Sequence, residues 1–382
     1  MDFVQTTEVE ERQIDAIYDL VLSQQKALEE LLPNARLSAR ASGTGVAWEW
    51  AASSGGSSNR TYDGNQGRGI AIDSSGNAYV TGYLRDTATF GSTVLTCFGE
   101  WCIFVAKMNS NGSWQWAVKA AAGSVNSTAV GGMGHGIAVD SSGSVYVTGS
   151  FLGTAEFGDN TLVWKGKGDS TAIPPPPDLF VAKLNNTGSW QWATGLGSTG
   201  NDHGRDIAID SADNVYVTGA IGGSVFDEDG VTLLLGHAGY QDLFIGKLNN
   251  SGSWQWVTRA GGTGTDTGYG IAIDSNDDVY ITGNFGNTFW YFENNQHHKH
   301  VNSSGSSDIF IAKMNSSGSW QWVIGSGGSG QDEGLGIVID STDNIWVTGF
   351  FHGTAVFGSM NISASGDYDA FFARINSKLH TS

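Results

Sequence analysis

"NNTGSWQWATG", residues 185–195, recurs through the chain as "NSNGSWQWAVK" at 109–119, "NNSGSWQWVTR" at 249–259 and "NSSGSWQWVIG" at 315–325, with a degenerate copy, "GVAWEWAAS", at 45–53. The first tryptophans of the pairs, Trp48, Trp114, Trp190, Trp254 and Trp320, stand 66, 76, 64 and 66 residues apart, and the long second step contains the insertion "AIPPPPD". An internal period of this kind outranks length as a guide to architecture.

Three further segments recur in fixed order within each period. "GIAID" at 69–73 returns as "GIAVD", "DIAID", "GIAID" and "GIVID", "AYVTG" at 78–82 as "VYVTG", "VYVTG", "VYITG" and "IWVTG", and "IFVAKMN" at 103–109 ends the series as "FFARIN" at 371–376. Short β-branched and aromatic runs bounded by Gly, Asn, Asp and Ser predict strands. The links "SSGN", "SSGS", "SADN", "SNDD" and "STDN", each after an Asp (Asp73, Asp140, Asp210, Asp274, Asp340), predict tight turns, since Asx side chains bond nearby backbone and Gly or Asn accepts positive φ.

Each unit therefore supplies four antiparallel strands, the content of one propeller blade. Alternation along a strand predicts that both tryptophans of "WQW" share one face. A four-stranded sheet cannot bury both faces alone, so Trp48, Trp50, Trp114, Trp116, Trp190, Trp192, Trp254, Trp256, Trp320 and Trp322 are expected as inter-blade packing. The first tryptophan strand precedes the first unit, whereas the last unit stops after "FFARIN" without one. Pairing of the Trp48–Trp50 strand beside "FFARIN" would complete a fifth blade from both chain ends and close the ring. The expectation is an all-β, five-bladed β-propeller over 46–376, with a tail at 377–382; a tandem open array is the alternative.

"DLFVAKLNNTGSWQWATGLGSTGNDHGRDIAIDSADNVYVTG", residues 178–219, resembles the SBBP β-propeller repeat of bacteria and archaea, and the likeness extends over 46–376. The chain departs from that pattern in an added segment, such as "ATFGSTVLTCFG" or "AEFGDNTLVWKG", between the second and third strands of a unit. The resemblance implies a fold and not an activity; five-bladed lectins of the tachylectin kind are architectural analogues.

Glycine, at 55 residues, is about double the usual share, as a turn-rich β protein needs. A formal charge of −19 repels phosphate backbones and anionic lipid, which argues against nucleic-acid or membrane-surface binding. No apolar run reaches membrane-span length, and "MDFVQTTEVEERQID" lacks the layout of a secretory signal. Cys97 and Cys102 flank "FGEW" and read as two free thiols, with a hairpin-closing disulfide as the alternative in an oxidising compartment.

Residues 7–32 change character, with no glycine and apolar spacing near 3.5: Ile14, Val21 and Leu28 fall at heptad position a, with Ile17, Gln24 and Leu31 at d. Thr7 and Glu10 form a capping pair and Pro33 ends the segment. An assembly helix over 1–32 is expected to pair with its own copies, another structural protein or the propeller's flank, followed by a linker at 33–45.

Before each inner strand stand Asn65, Gly132, Asp202, Asp266 and Asp332; they read as braces of the inter-blade loop or as the lining of a pocket for a polar ligand or cation, Ca²⁺ first. No other cofactor is implied. Trp101, Trp164 and Trp290 lie outside the repeat pattern, so they are candidate platforms for sugar rings or partner anchors, against satellite packing beneath their own loops. "HHKH" at 297–300 reads as a solvated loop rather than a metal site. The absence of hydrolase, metalloprotease and nucleotide-binding motifs argues against an enzyme. The expected function is a non-enzymatic attachment or structural protein, a virion component such as a phage tail or fibre with an extracellular-facing head; the alternative is a free lectin-like propeller that binds cell-surface glycans.

Overall fold

The computed structural model describes residues 49–56, 64–98, 100–122, 124–125, 128–129, 131–164, 176–226, 233–236, 239–293 and 297–376, and all regular structure among them is β. The expected helix at 7–32, with Ile14, Ile17, Val21, Leu28 and Leu31, lies outside the described residues, as do the linker, the tail and Trp48. Among the described residues no helix is long and apolar enough to cross a membrane.

Four antiparallel sheets follow one another, each of four strands in chain order from inner to outer edge. They are Gln66–Ile72, Ala78–Leu84, Cys102–Met108 and Trp114–Ala122; Gly132–Val139, Val145–Phe151, Asp178–Leu184 and Trp190–Leu196; His203–Ile209, Val215–Ile221, Asp242–Leu248 and Trp254–Ala260; and Thr267–Ile273, Val279–Phe285, Asp308–Met314 and Trp320–Gly328. A fifth sheet comprises Glu333–Ile339, Ile345–Phe357 and Met360–Ile375, and its last strand pairs only the second among the described residues. The expected pairing of the Trp48–Trp50 strand beside 371–376 is absent there, and Glu49 and Trp50 belong to no strand. Within the compact unit that holds residues 49–53 and 111–113, the indole of Trp50 lies against Gly112.

The turn chemistry follows the sequence. Gly76, Gly143, Asp213, Asp277 and Asp343 take positive φ at the third turn position. The preceding Asp closes the loop: Asp140 Oδ1 accepts from the amides of Ser142 and Ser144 at 2.9 and 2.8 Å, and its Oδ2 accepts from the Tyr146 hydroxyl at 3.0 Å. Lys183 caps the same carboxylate at 4.0 Å and lies 4.8 Å from the Tyr146 ring centre. In the fifth sheet Trp346 and Arg374 replace the Tyr and Lys, and Trp346 Nε1 donates to Asp340 at 3.0 Å.

The two tryptophans of a pair do not share a face. Lys183 pairs Trp192 while its neighbour Leu184 pairs Trp190, so a bulge at Gln191 turns the indoles to opposite sides, and the same shift occurs in the first, third and fourth sheets. Trp192 faces forward, stacked edge-on to Tyr146 at 6.1 Å, with its Nε1 donating to Asn250 O of the next sheet at 3.0 Å. Trp190 faces back, edge-on to Phe157 at 5.0 Å, with its Nε1 donating to Lys119 O of the preceding sheet at 3.4 Å. One repeated motif thus wedges a sheet on both sides. The forward indole is admitted by a glycine: a Cβ on Gly252, whose φ is +83°, would stand 2.7 Å from the Trp192 ring.

The added segments of the second, fourth and fifth units stitch neighbouring sheets, whereas that of the third, Val225–Phe226 with Leu233–Leu235, pairs only within itself. Thr154–Phe157 pairs Asn160–Val163 and also the outer strand of the first sheet, Ala155 opposite Ala122. Trp290 pairs Gly261, and Val356 pairs Gly327, in the same manner. "HHKH" is therefore part of a strand, His297–Asn302, rather than a loop.

"VTG" is explained by the inner strand. The Thr218 hydroxyl, buried, donates to Phe244 O at 3.1 Å, and Thr81, Thr148, Thr282 and Thr348 repeat the bond. Each inner strand carries a bulge opposite the following glycine. Arg68, His135, Arg205, Tyr269 and Leu335 are the extra residues, and the bulge drives a carbonyl against the glycine: a Cβ on Gly219 would lie 1.8 Å from His203 O.

The backward face of the first sheet and the forward face of the fifth are uncovered. Ile70 is 68% exposed where its counterpart Ile207 is 4%, and Phe372 is 83% exposed where its counterpart Val181 is 0%.

Candidate functional site

The acidic rim residues act as braces. Asp202, Asp266 and Asp332 are completely buried. Asp266 accepts from the amide of Gly262 at 2.8 Å and, 20 residues on, from that of Gly286 at 3.2 Å; Asp332 bonds Gly328 and His352, and Asp202 bonds Ser198 and Gly222, in the same pattern. Asn65 repeats it with one bond from Arg85 N at 2.9 Å. Each side chain ties its outer-strand loop or inner-strand start to the end of the second strand of its own sheet. Among the described residues no three His, Cys, Asp or Glu side chains are grouped to hold a metal ion.

Burial pushes the Asp266 carboxyl up to about 7 against the opposing amide bonds, with Asp242 adding to the rise. Because the folded value lies above the unfolded one, this group's stabilisation is complete below the unfolded carboxyl pKa and is lost as pH rises toward 7. Asp266→Asn removes the titration and turns its Nδ2 donor toward one of the two amides, a penalty that does not change with pH. Urea denaturation of both proteins at pH 4 and pH 8 should show the variant gaining a few kcal/mol relative to wild type at the higher pH; a pH-independent difference would contradict the assignment.

The non-repeat tryptophans are held apart. Trp290 sits on its stitching hairpin, 42% exposed with its ring 4.6 Å from that of His300. Trp164 ends the hairpin of the second sheet, its amide bonded to Gly153 O at 2.7 Å. Trp101 lines a cavity. It is placed by a feature the cysteine count read otherwise: Cys97 and Cys102 are joined in a disulfide, with Cα atoms 5.7 Å apart, closing the loop that bears it. The Arg85 guanidinium covers its ring at 4.6 Å.

The cavity, about 490 Å³, lies between loops of the first three sheets and is lined by Trp101, Met133, Phe151, Leu152, Pro177 and His203, with Asn201 and Ser150 as further polar groups. His203 Nδ1 is buried with no hydrogen-bond partner among the described residues. Burial, then the charges of Arg205 and His135, press this imidazole down to about 3, so it is neutral at pH 7. Mostly apolar walls with a few directed polar groups are the usual constitution of a small-molecule site. Apart from Trp101, sequence reasoning missed the lining because it comes from three repeats and from the insertion "AIPPPPD", which no periodicity brings together.

The second missed feature is the line of bulged residues on the inner strands. Neighbouring inner strands nearly touch beside them: a Cβ on Gly136 would be 2.7 Å from Asp206 Cα, and one on Gly69 2.6 Å from His135 O. Asp206 takes the place of the glycine in the third sheet, and its carboxylate accepts from Ile207 N at 2.9 Å and from Ile271 N of the fourth sheet at 3.0 Å. The signal in the sequence was the residue between two small ones in "GRG", "GHG", "GRD", "GYG" and "GLG".

Comparison with known proteins agrees with the repeat reading. The β-propeller repeat model SBBP matches residues 55–83, 191–227 and 255–284. An uncharacterized WD repeat-containing protein, L264, of Acanthamoeba polyphaga mimivirus is 27% identical over 194 residues, 46% of this chain and 14% of that protein, so the chain spans a small part of that relative's length. Among solved structures, a protein of unknown function from Bacteroides caccae aligns over 69% of this chain and 82% of its own, at 11% identity and a TM-score of 0.32. A gluconolactonase from Xanthomonas campestris aligns over 75% and 84%, at 11% identity and a TM-score of 0.30. The chain therefore carries β-propeller repeats that match the SBBP model in three places, with the same strand order in the four four-stranded sheets.

Proposed function

We propose that the chain is a non-enzymatic binding protein whose five sheets close into a five-bladed propeller and whose cavity beside Trp101 takes a pyranose-type ligand. The cavity carries the reading: apolar walls suit the C–H face of a sugar ring, while His203, Asn201 and Ser150 offer the directed hydrogen bonds that its hydroxyls need. Closure is supported by the matching uncovered faces around Ile70 and Phe372.

A glycan array probed with the full chain tests the ligand class. Saturable binding to a restricted set of neutral glycans is expected, with at least about a tenfold loss on Leu152→Arg, which fills the cavity with a charged side chain. No saturable signal, or a signal untouched by that substitution, would overturn it. A wider reading joins this head to the helix expected at 7–32 and makes the chain an oligomeric attachment protein of a virion, such as a phage tail or fibre. That reading rests on the heptad of Ile14, Ile17, Val21, Leu28 and Leu31, and electron microscopy of the same sample decides it: a lone monomer would count against it.

A further inference from the structure

The five bulged residues of the inner strands are Arg68, His135, Arg205, Tyr269 and Leu335. A bulge leaves its residue outside the ladder and re-aims the side chain, and bulges gather next to binding sites. Here consecutive bulges are brought side by side. The His135 Nδ1 lies 2.8 Å from Gly204 O, its ring is 6.2 Å from that of His203, and the Arg205 guanidinium lies 5.7 Å from the Tyr269 ring centre.

The two arginines have no carboxylate partner. In a chain with 38 acidic and 19 basic residues, neither Arg68 nor Arg205 is in an ion pair among the described residues; their contacts are with the rings of Tyr83 and Tyr269. Arg205 Nε is buried and donates to nothing among the described residues. Burial comes first among the influences that hold its guanidinium below the usual range, and the charge of Arg68 adds to it, while Tyr269 and the charge of Glu333 oppose it. The nearby acids are otherwise engaged. Asp206 spends both oxygens on backbone amides, and Glu333 accepts from Gln331 Nε2 at 2.8 Å. An unpaired, half-buried guanidinium is costly, and a planar fork of donors is suited to a bidentate oxyanion.

We propose that this line of inner-strand bulges is an oxyanion site, in which Arg205 and Arg68 hold a carboxylate, sulfate or phosphate group and His135 and Tyr269 flank it. The site does not depend on the neutral-sugar pocket.

Isothermal titration of the full chain with sulfate, phosphate and glucuronate, in chloride at fixed ionic strength, tests it and separates free inorganic anions from acidic sugars. Saturable binding of at least one of the three is expected, with Arg205→Gln weakening it tenfold or more and Arg68→Gln several-fold. Binding of neutral glycans should be unchanged in both variants, which keeps a failure here distinct from a failure of the pocket. Should Arg205→Gln not fold, the Arg205 Nε–Hε resonance of the wild type decides: it must shift on titration and must saturate together with the heat. Absence of saturable heat with all three anions, an unmoved Nε–Hε signal, or wild-type affinity in Arg205→Gln would each overturn the assignment.

Discussion

Gly219→Ala is expected to lower stability by about 3 kcal/mol or more, or to prevent folding, while Gly366→Ala changes it by less than about 0.5 kcal/mol. The methyl group at Gly219 would stand 1.8 Å from the carbonyl oxygen of His203, which is main chain and has no rotamer to escape into. Relief requires flattening the bulge at Arg205, and that would carry the hydrogen-bond register of His203–Ile209 with it. Gly82, Gly149, Gly283 and Gly349 face the same contact at 1.8–1.9 Å, whereas nothing lies within 4 Å of a Cβ on Gly366. Chemical denaturation followed by tryptophan emission measures the difference. A near-neutral Gly219→Ala would mean that the inner strand is not bulged as described.

Phe372→Asp separates a closed head from an open one. Phe372 is 83% exposed among the described residues, yet its counterparts Val105, Val181 and Ile245 are 0% exposed and Ile311 is 3%. If the fifth sheet meets the first, a carboxylate at 372 is buried in an apolar interface and should cost about 3 kcal/mol or more. If the faces stay open, the substitution is neutral within about 0.5 kcal/mol and closure is wrong. A loss that grows on dilution of the protein would instead assign the cover of these faces to a second copy, which also contradicts closure within one chain.

Much of the fold was legible in the residues themselves. Strand and turn positions followed from "GIAID", "VYVTG" and the Asp-led turns, because each depends on local chemistry: β-branched side chains, an Asx carboxylate within reach of its own loop, and a residue that accepts positive φ. The tryptophan pair was read correctly as a repeated device and incorrectly in direction. Alternation assumes one residue per ladder position, and a bulge at the residue between the indoles breaks that assumption without a marker in "WQW". The rim acids were legible as polar loop residues, but their partners lie at a contact formed only when the outer strand meets the following hairpin. The disulfide was undecidable from two cysteines alone, since a spacing of five fits a loop of free thiols as well as a closed one.

The sequence by itself determined the period, the strand content and the identity of the residues that repeat, since these depend on interactions within a few positions along the chain. Tertiary structure alone decided which way the indoles face, that the added segments of the second, fourth and fifth units stitch neighbouring sheets, and that Arg68, His135, Arg205 and Tyr269 come together on the inner strands. Those residues stand some 64 to 70 positions apart, and what unites them is the packing of one sheet on the next. Residue spacing records a repeat, whereas the direction in which an unpaired side chain is turned is set by the register of strands that meet only after folding.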